Sequence, residues 1–410
     1  MFDPIKASKE IKDSYIDYIT TTFDMADTDY EREFRKELQT DGMVASGPFL
    51  DIGGSYETGH TLRELIQAQK ASILFENLEP VAEKERELKL DRPLYQHQET
   101  AMLKADKGEN LVVTTGTGSG KTESFLLPII NHLLREQEAG TLSAGVRAII
   151  IYPMNALAND QMKRMRALFK NYPQICYGVY NGNTEHTQSK ALAEYHRTYH
   201  DEAGEPIDPA PNEIISREVM QERPPHILIT NYSMLEYMML RPKDDAVFSG
   251  AKLKFIVLDE AHIYKGATGM ETSLLMRRLR ARISEPDSVQ YILTSATLGG
   301  PDADGDILSF AEKLCGVAFQ RSGIIRSTEK RPAMEDFLDF APALFEELQR
   351  SPDISSVLAR YHADFAPGGS EGEKLYALFL HSRLFALLRK VAHQPITVAQ
   401  LRQALSEICL

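Results

Sequence analysis

The stretch Leu111-Val112-Val113-Thr114-Thr115-Gly116-Thr117-Gly118-Ser119-Gly120-Lys121-Thr122 decides the fold. An apolar run runs into a glycine-rich turn, and a helix is predicted from about Glu123. Glycines let backbone amides close around a polyphosphate. Lys121 then reaches the β- and γ-phosphates, and the Thr122 hydroxyl can ligate Mg²⁺. The strict phosphate-loop pattern asks for glycine where Thr115 stands, while the G-x-G-K-T end is intact. A merely flexible turn does not need a strand before it and a helix after it. Residues 115–122 are therefore read as the phosphate cradle.

Working outward, short apolar runs at Leu111–Val113, Ala148–Ile151, Ile227–Ile229, Phe255–Leu258 and Tyr291–Leu293 alternate with helical stretches. That texture predicts a parallel α/β sheet with helices on both faces. The run Phe255–Leu258 ends in Asp259-Glu260-Ala261-His262. Two adjacent carboxylates after a buried strand divide naturally. Asp259 holds the metal through water, and Glu260 orients and deprotonates the water that attacks the γ-phosphate. Taken alone, the acid pair is a helix-start feature and His262 a surface histidine; the upstream phosphate loop is what joins them to chemistry.

The flanks are plainer. Residues 1–90 read as a helical accessory region, 91–310 as the nucleotide-binding lobe with a polar, proline-rich insertion or long loop at about 184–225, and 311–410 as a helical extension. The mixed-charge run Glu83–Lys89 is a solvated face. Pro395-Ile396-Thr397 opens a last helix through an N-cap-like turn. The chain has 410 residues, 43% of them hydrophobic and 26% charged, with no run near the roughly 18 apolar residues that span a bilayer. Its start has no signal or transit pattern, so a cytoplasmic location is expected. Cys176, Cys315 and Cys409 are too scattered for a disulfide framework or a zinc site, and His196 and His200 lack a third ligand at paired spacing. A net charge of −13 confines any nucleic-acid contact to a local patch.

Asp259-Glu260-Ala261-His262 spells the box of superfamily 2 DEAH helicases, which this chain resembles over roughly residues 91–300. Other segments follow in that family's order. Tyr95-Gln96-His97-Gln98 resembles the adenine-reading element, with Gln98 on the base. Tyr152 to Gln161 resembles motif Ia, Tyr180-Asn181-Gly182-Asn183-Thr184 motif Ic, and Thr230 to Leu235 motif Ib. Ser295-Ala296-Thr297 gives the S-A-T motif that couples nucleotide state to strand movement, with His262 as its partner. In wording the chain is most similar to MrfA-like repair helicases and to the large helicases of anti-phage islands such as Druantia and DISARM.

The resemblance implies a RecA-like lobe that binds MgATP, works as a 3′-to-5′ DNA translocase, and grips phosphates with Asn155, Gly182, Thr230 and Asn231. Basic helix faces at Lys163, Arg164, Arg166 and Lys170 and at Arg277, Arg278, Arg280 and Arg282 are secondary candidates. After Thr297 no second lobe with an arginine finger is legible. The expectation is half of a motor, completed by a second RecA-like lobe in cis or in a partner subunit. An RNA helicase, or a nucleotide-gated scaffold subunit without hydrolysis of its own, are the competing readings.

Overall fold

The computed structural model describes residues 3–23, 25–50, 56–78, 88–116, 118–201, 204–299, 301–328, 330, 337–392 and 395–408. The chain divides into two compact units, Tyr56–Glu329 and the combination of Met1–Ser55 with Lys330–Leu410.

The first unit is built on eight parallel strands: β1 (Leu111–Thr114), β2 (Ala148–Ile151), β3 (Tyr177–Tyr180), β4 (Glu213–Ile214), β5 (Ile227–Thr230), β6 (Phe255–Leu258), β7 (Gln290–Ser295) and β8 (Ile324–Arg326). Their order across the sheet is β8-β1-β7-β6-β2-β5-β3-β4. Helices α1 (Gln96–Asp106), α2 (Lys121–Glu138), α3 (Asn155–Phe169), α4 (Gln188–Thr198), α5 (Arg217–Glu222), α6 (Tyr232–Leu240), α7 (Gly266–Arg282) and α8 (Asp304–Cys315) connect them. Successive strand residues serve opposite faces. Leu111, Val113, Ala148 and Ile150 join one core with Phe125, Ile129 and Leu133 of α2. Val112, Ile149, Ile151 and Ile256 join the other with Leu275 and Leu279 of α7. Burial on both faces is why these strands are continuously apolar rather than alternating.

Three expectations need correction. The sheet unit begins at Tyr56 and ends at Glu329, so borders at 90 and 310 cut through it. Thr58–Thr61 pairs antiparallel with Pro93–Tyr95, the Glu57 amide donates to Thr328 O at 2.8 Å, and Leu62, Leu65, Phe75 and Leu78 sit in the sheet's own core. The segment 184–225 is not a long loop. It supplies α4, α5 and the edge strand β4, which pairs with β3 in register Tyr177↔Glu213. Helical structure does not run uninterrupted over 311–410 either, because β8 adds a parallel edge against β1. The strands the sequence did not announce, β3, β4 and β8, are two to four residues long, too short to carry a period.

In the second unit, helices Pro4–Thr22 and Thr28–Gln39 start at Asp3 and Asp27, whose carboxylates cap the free amides of the first turn. Phe49–Leu50 pairs antiparallel with Ile396–Thr397. The expected N-cap turn is present, with Gln400 N donating to Thr397 Oγ1 and Thr397 N to Gln400 Oε1. Helices Pro342–Arg350, Ile354–Arg360 and Glu371–His381 close a small core on Leu344, Leu348, Val357, Leu358 and Leu378. Among the described residues no helix is long and apolar enough to cross a membrane. Glu83 to Glu87 of the charged run lie outside the described residues, as do Thr117 and Cys409.

Two buried histidines set a pH dependence for the sheet unit. His226 accepts the Cys176 amide at Nδ1 (3.0 Å) and donates from Nε2 to Ser143 O (3.2 Å). His97 donates from Nε2 to Ser119 O (2.9 Å) and leaves Nδ1 buried without a partner. Burial holds both below the usual imidazole pKa. The unfolded chain therefore takes up protons near pH 6.5 that the folded chain refuses, and stability falls as pH drops below that value. Each histidine contributes up to about 1.4 kcal/mol per pH unit. Melting between about pH 7.5 and 5.5 checks this: the acid-side loss shrinks in His226→Gln, and an equal slope in that variant removes His226 from the account.

Candidate functional site

Four chain segments converge at the C-terminal ends of β1, β7, β6 and β2, where a parallel sheet presents its loops to ligand. The loop after β1 turns into α2 through Gly118 and Gly120, whose φ values of 74° and 73° lie in the left-handed region that favours glycine. Gly120 is also the N-cap of α2, so the free amides of Lys121 and Thr122 point out of the first turn. Inside the loop Ser119 Oγ donates to Thr115 Oγ1 at 2.7 Å, and both side chains are buried. Gly116 and Gly118 are exposed, while Lys121 and Thr122 are half-buried.

Gln98 is 1% exposed, and both ends of its amide are engaged. Oε1 accepts from Tyr95 N (2.9 Å) and Nε2 donates to Gly120 O (3.0 Å). It braces the phosphate loop against the start of α1, and adenine recognition would require it to release one of these bonds. Tyr56, Tyr95 and His97 stand beside the loop, with Tyr95 and His97 stacked at 5.6 Å.

The acid pair follows β6. Asp259 N donates to Ile151 O at 3.1 Å, Asp259 Oδ1 accepts from the Thr294 hydroxyl of β7, and Glu260 N donates to Thr294 Oγ1 at 3.3 Å. Burial raises the Asp259 carboxyl above its usual range, against the opposing pull of the Thr294 hydroxyl. Glu260 has φ 48°, a left-handed conformation rare for a residue with a Cβ, which costs about 1–2 kcal/mol. This bend turns its carboxylate toward the phosphate loop. Lys121 Nζ lies 3.1 Å from Glu260 Oε1, and His262 Nδ1 lies 3.3 Å from Glu260 Oε2. The same His262 nitrogen is 3.1 Å from Ser295 Oγ, which in turn accepts the Thr297 amide at 3.1 Å. Lys121, Glu260, His262, Ser295 and Thr297 thus form one polar chain from the phosphate loop to the S-A-T segment, with Ala296 half-buried between the last two.

The donor set fits a divalent cation carried by a triphosphate. Asp259 and the Thr122 hydroxyl are hard oxygen donors, and among the described residues no cluster of three His, Cys, Asp or Glu side chains could hold a metal unaided. Mg²⁺ is characteristically held by one or two carboxylates together with substrate phosphates. Sequence reading missed Thr294, which holds Asp259, and did not place Tyr152 of the motif Ia segment beside the acids; its buried hydroxyl lacks a partner and is kept protonated by burial and by the charge of Asp259. Thr294 sits one residue before the S-A-T motif, a place with no pattern of its own.

A second group lies farther along the same edge. Asn231 caps α6 by accepting Met234 N at 2.7 Å, and its Nδ2 donates to Asn155 Oδ1 at 2.8 Å at the first residue of α3. Gly182 is exposed in the turn after β3. Thr230 departs from expectation. It is 1% exposed and its hydroxyl donates to Tyr180 O at 2.7 Å, so its side chain ties β5 to β3 and faces no ligand. The basic helix faces are largely engaged. Arg164 pairs with Glu123, Arg166 with Glu213, Arg278 with Glu236, Arg280 with Asp287 and Arg282 with Asp245. His196 meets Asp208 at 2.7 Å.

The DEAD/DEAH box helicase family profile matches residues 95–203 and 204–304. Druantia protein DruE of Escherichia coli (strain UMEA 4076-1) is 32% identical over 413 residues, which cover 79% of this chain and 22% of that protein. The uncharacterized ATP-dependent helicase YprA of Bacillus subtilis (strain 168) is 31% identical over 219 residues, covering 53% of this chain and 24% of that protein. The chain thus spans less than a quarter of the length of these curated relatives. Among solved structures, the DUF1998 helicase MrfA bound to DNA is similar at 22% identity and a TM-score of 0.46, with 72% of this chain and 34% of that chain covered.

Proposed function

This chain belongs to the DEAD/DEAH box helicases, and from that premise we propose that it is the ATP-binding first lobe of a DNA translocase. The observation that carries the reading is the unbroken chain Lys121–Glu260–His262–Ser295, because it joins the phosphate loop, the acid pair and the coupling motif in one contact path. Thr115 to Thr122 cradle the triphosphate, Lys121 leaves Glu260 to meet the β- and γ-phosphates, and Thr122 with Asp259 holds Mg²⁺. A divalent cation held there would supply positive charge to offset that of the triphosphate. Glu260, released from the lysine, orients and deprotonates the attacking water, while His262 and Ser295 pass the change toward Ala296 and Thr297. Gln98 supports the loop and exchanges its bond to Gly120 if it reads the base.

Nucleic acid runs over Asn231, Asn155 and Gly182. The Asn231–Asn155 bond makes one unit of α3 and α6, so a bound backbone bears on both. A second RecA-like lobe, in cis or from a partner subunit, supplies the arginine finger. The likeness to the Druantia protein DruE supports anti-phage defence as the setting.

Lys121→Ala is expected to weaken nucleotide binding by roughly 30-fold or more, since it removes charge-assisted bonds to phosphate. Fluorescent-nucleotide titration checks it, and unchanged affinity dismisses Lys121 from the site. The proposal as a whole is tested by ATP turnover of the chain alone and with duplex DNA, single-stranded DNA or RNA of matched length. DNA-stimulated turnover supports the translocase, RNA-selective stimulation favours an RNA helicase, and tight binding without turnover in any assembly favours a nucleotide-gated scaffold.

A further inference from the structure

Among the described residues, Arg147 and Arg217 are the buried arginines of the sheet unit, and they differ in their partners. Arg147, 0% exposed, faces Glu136 at 2.9 Å, and Arg166 grips Glu213 at 2.8 Å. Arg217 is 6% exposed, yet among the described residues no carboxylate oxygen lies within 4.0 Å of its guanidinium. Its Nη2 donates to Asn181 O (2.9 Å) and Gly182 O (3.4 Å), its Cζ stands 5.3 Å from the Tyr180 ring centroid, and its Nε is buried without a partner. The buried Asp244 sits on the hydroxyl end of the same tyrosine, but it takes Tyr180 (2.5 Å) and Gln221 (2.7 Å) rather than Arg217. An unpaired charge in a protein interior is costly and is normally compensated.

The turn that Arg217 holds is open to solvent. Gly182 is exposed, and a Cβ built there would meet nothing within 4 Å. Tyr180 O, just before the turn, accepts the Thr230 hydroxyl, which places the turn beside Asn231 and its bond to Asn155. With the Asn181 and Gly182 carbonyls drawn inward onto the guanidinium, their negative ends are kept from the outer surface. The guanidinium lies directly behind these two carbonyls, and in surroundings of low dielectric its positive field is weakly screened.

We propose that Arg217 is the fixed positive charge of a backbone-phosphate subsite on the Gly182 turn. The inference rests on the nucleic-acid reading above and deepens it. Arg217 acts through the turn, as a positioning residue whose missing counter-ion is a phosphodiester of the bound strand. Such a contact attracts any sequence alike and shows itself in salt dependence.

The test is fluorescence anisotropy of the full chain with labelled oligothymidylate and, separately, oligouridylate, from about 50 to 200 mM salt. Arg217→Gln is expected to weaken binding roughly fivefold at the low-salt end and to make the plot of log affinity against log salt shallower by about 0.7. Arg217→Lys keeps the charge and is expected to keep the slope. Asp244→Asn removes the opposing charge and is expected to steepen it, which gives a reading even if Arg217→Gln folds poorly. A preference between the two oligonucleotides tells which polymer supplies the phosphate. Equal losses in Arg217→Gln and Arg217→Lys with an unchanged slope would mean that Arg217 only shapes the turn, and the proposal falls while the nucleic-acid reading stands. Absence of binding by the unsubstituted chain overturns both.

Discussion

Glu260→Gln is expected to lower ATP turnover by about 10²- to 10⁴-fold, in whichever assembly turns ATP over, with nucleotide affinity changed only a few-fold. The amide is isosteric with the carboxylate, so the left-handed bend at 260, the Thr294 bond to its amide and the approach to His262 are all retained. What disappears is the ability to take a proton from water. Removing the negative charge also frees Lys121, whose ammonium otherwise lies 3.1 Å from Glu260 Oε1, so binding has a reason to hold or tighten. Single-turnover hydrolysis beside equilibrium nucleotide binding separates the two effects. Turnover within tenfold of the unsubstituted protein would take the role of base away from Glu260.

The other large effect concerns stability. Arg147→Ala is expected to cost about 3–5 kcal/mol, because it breaks a pair whose cation is wholly buried and leaves the half-buried Glu136 carboxylate with His132 alone. Arg147 lies at the entry to β2, wholly buried, with Nε on both oxygens of Glu136, Nη1 on Gly145 O (2.7 Å) and Nη2 on Ser143 O and Oγ. It ties the end of α2 to the loop before β2, so the helix that carries Lys121 depends on it at its far end. Replacing both partners by apolar groups of similar size, as in Arg147→Met with Glu136→Leu, is expected to recover most of the loss. Denaturant unfolding of the single and double variants decides the matter. A loss under about 1 kcal/mol in Arg147→Ala would show that the pair does no more than a surface pair does.

Much of the first unit was legible because its signals are local. A buried parallel strand must be apolar throughout, so the runs that became β1, β2, β5, β6 and β7 stand out by composition alone. The phosphate loop needs glycine where φ is positive, and Gly118 and Gly120 occur there. The acids had to follow a buried strand, and Asp259 and Glu260 do. Local rules of this kind determine the lobe, its nucleotide loop and the identity of the acid pair before any contact is known.

What only the tertiary structure decided depends on residues far apart in the chain. β4 and β8 are too short to show a period and exist because β3 and β1 offer them edges. Tyr56 to Leu78 belongs to the sheet unit because of a pairing with Pro93–Tyr95 and a place in its core, neither of which a helical pattern can announce. Thr230 matched a contact motif yet turned its hydroxyl inward to Tyr180 O. Gln98 matched a base-reading motif yet holds Gly120 O. Arg217 lies in the polar insertion with no local pattern to mark it, and folding buried it behind Gly182 with no carboxylate in reach among the described residues. A motif specifies which residue type stands where. Whether a side chain faces ligand or neighbour is settled by packing, since a buried polar atom must find its partner wherever the rest of the chain provides one.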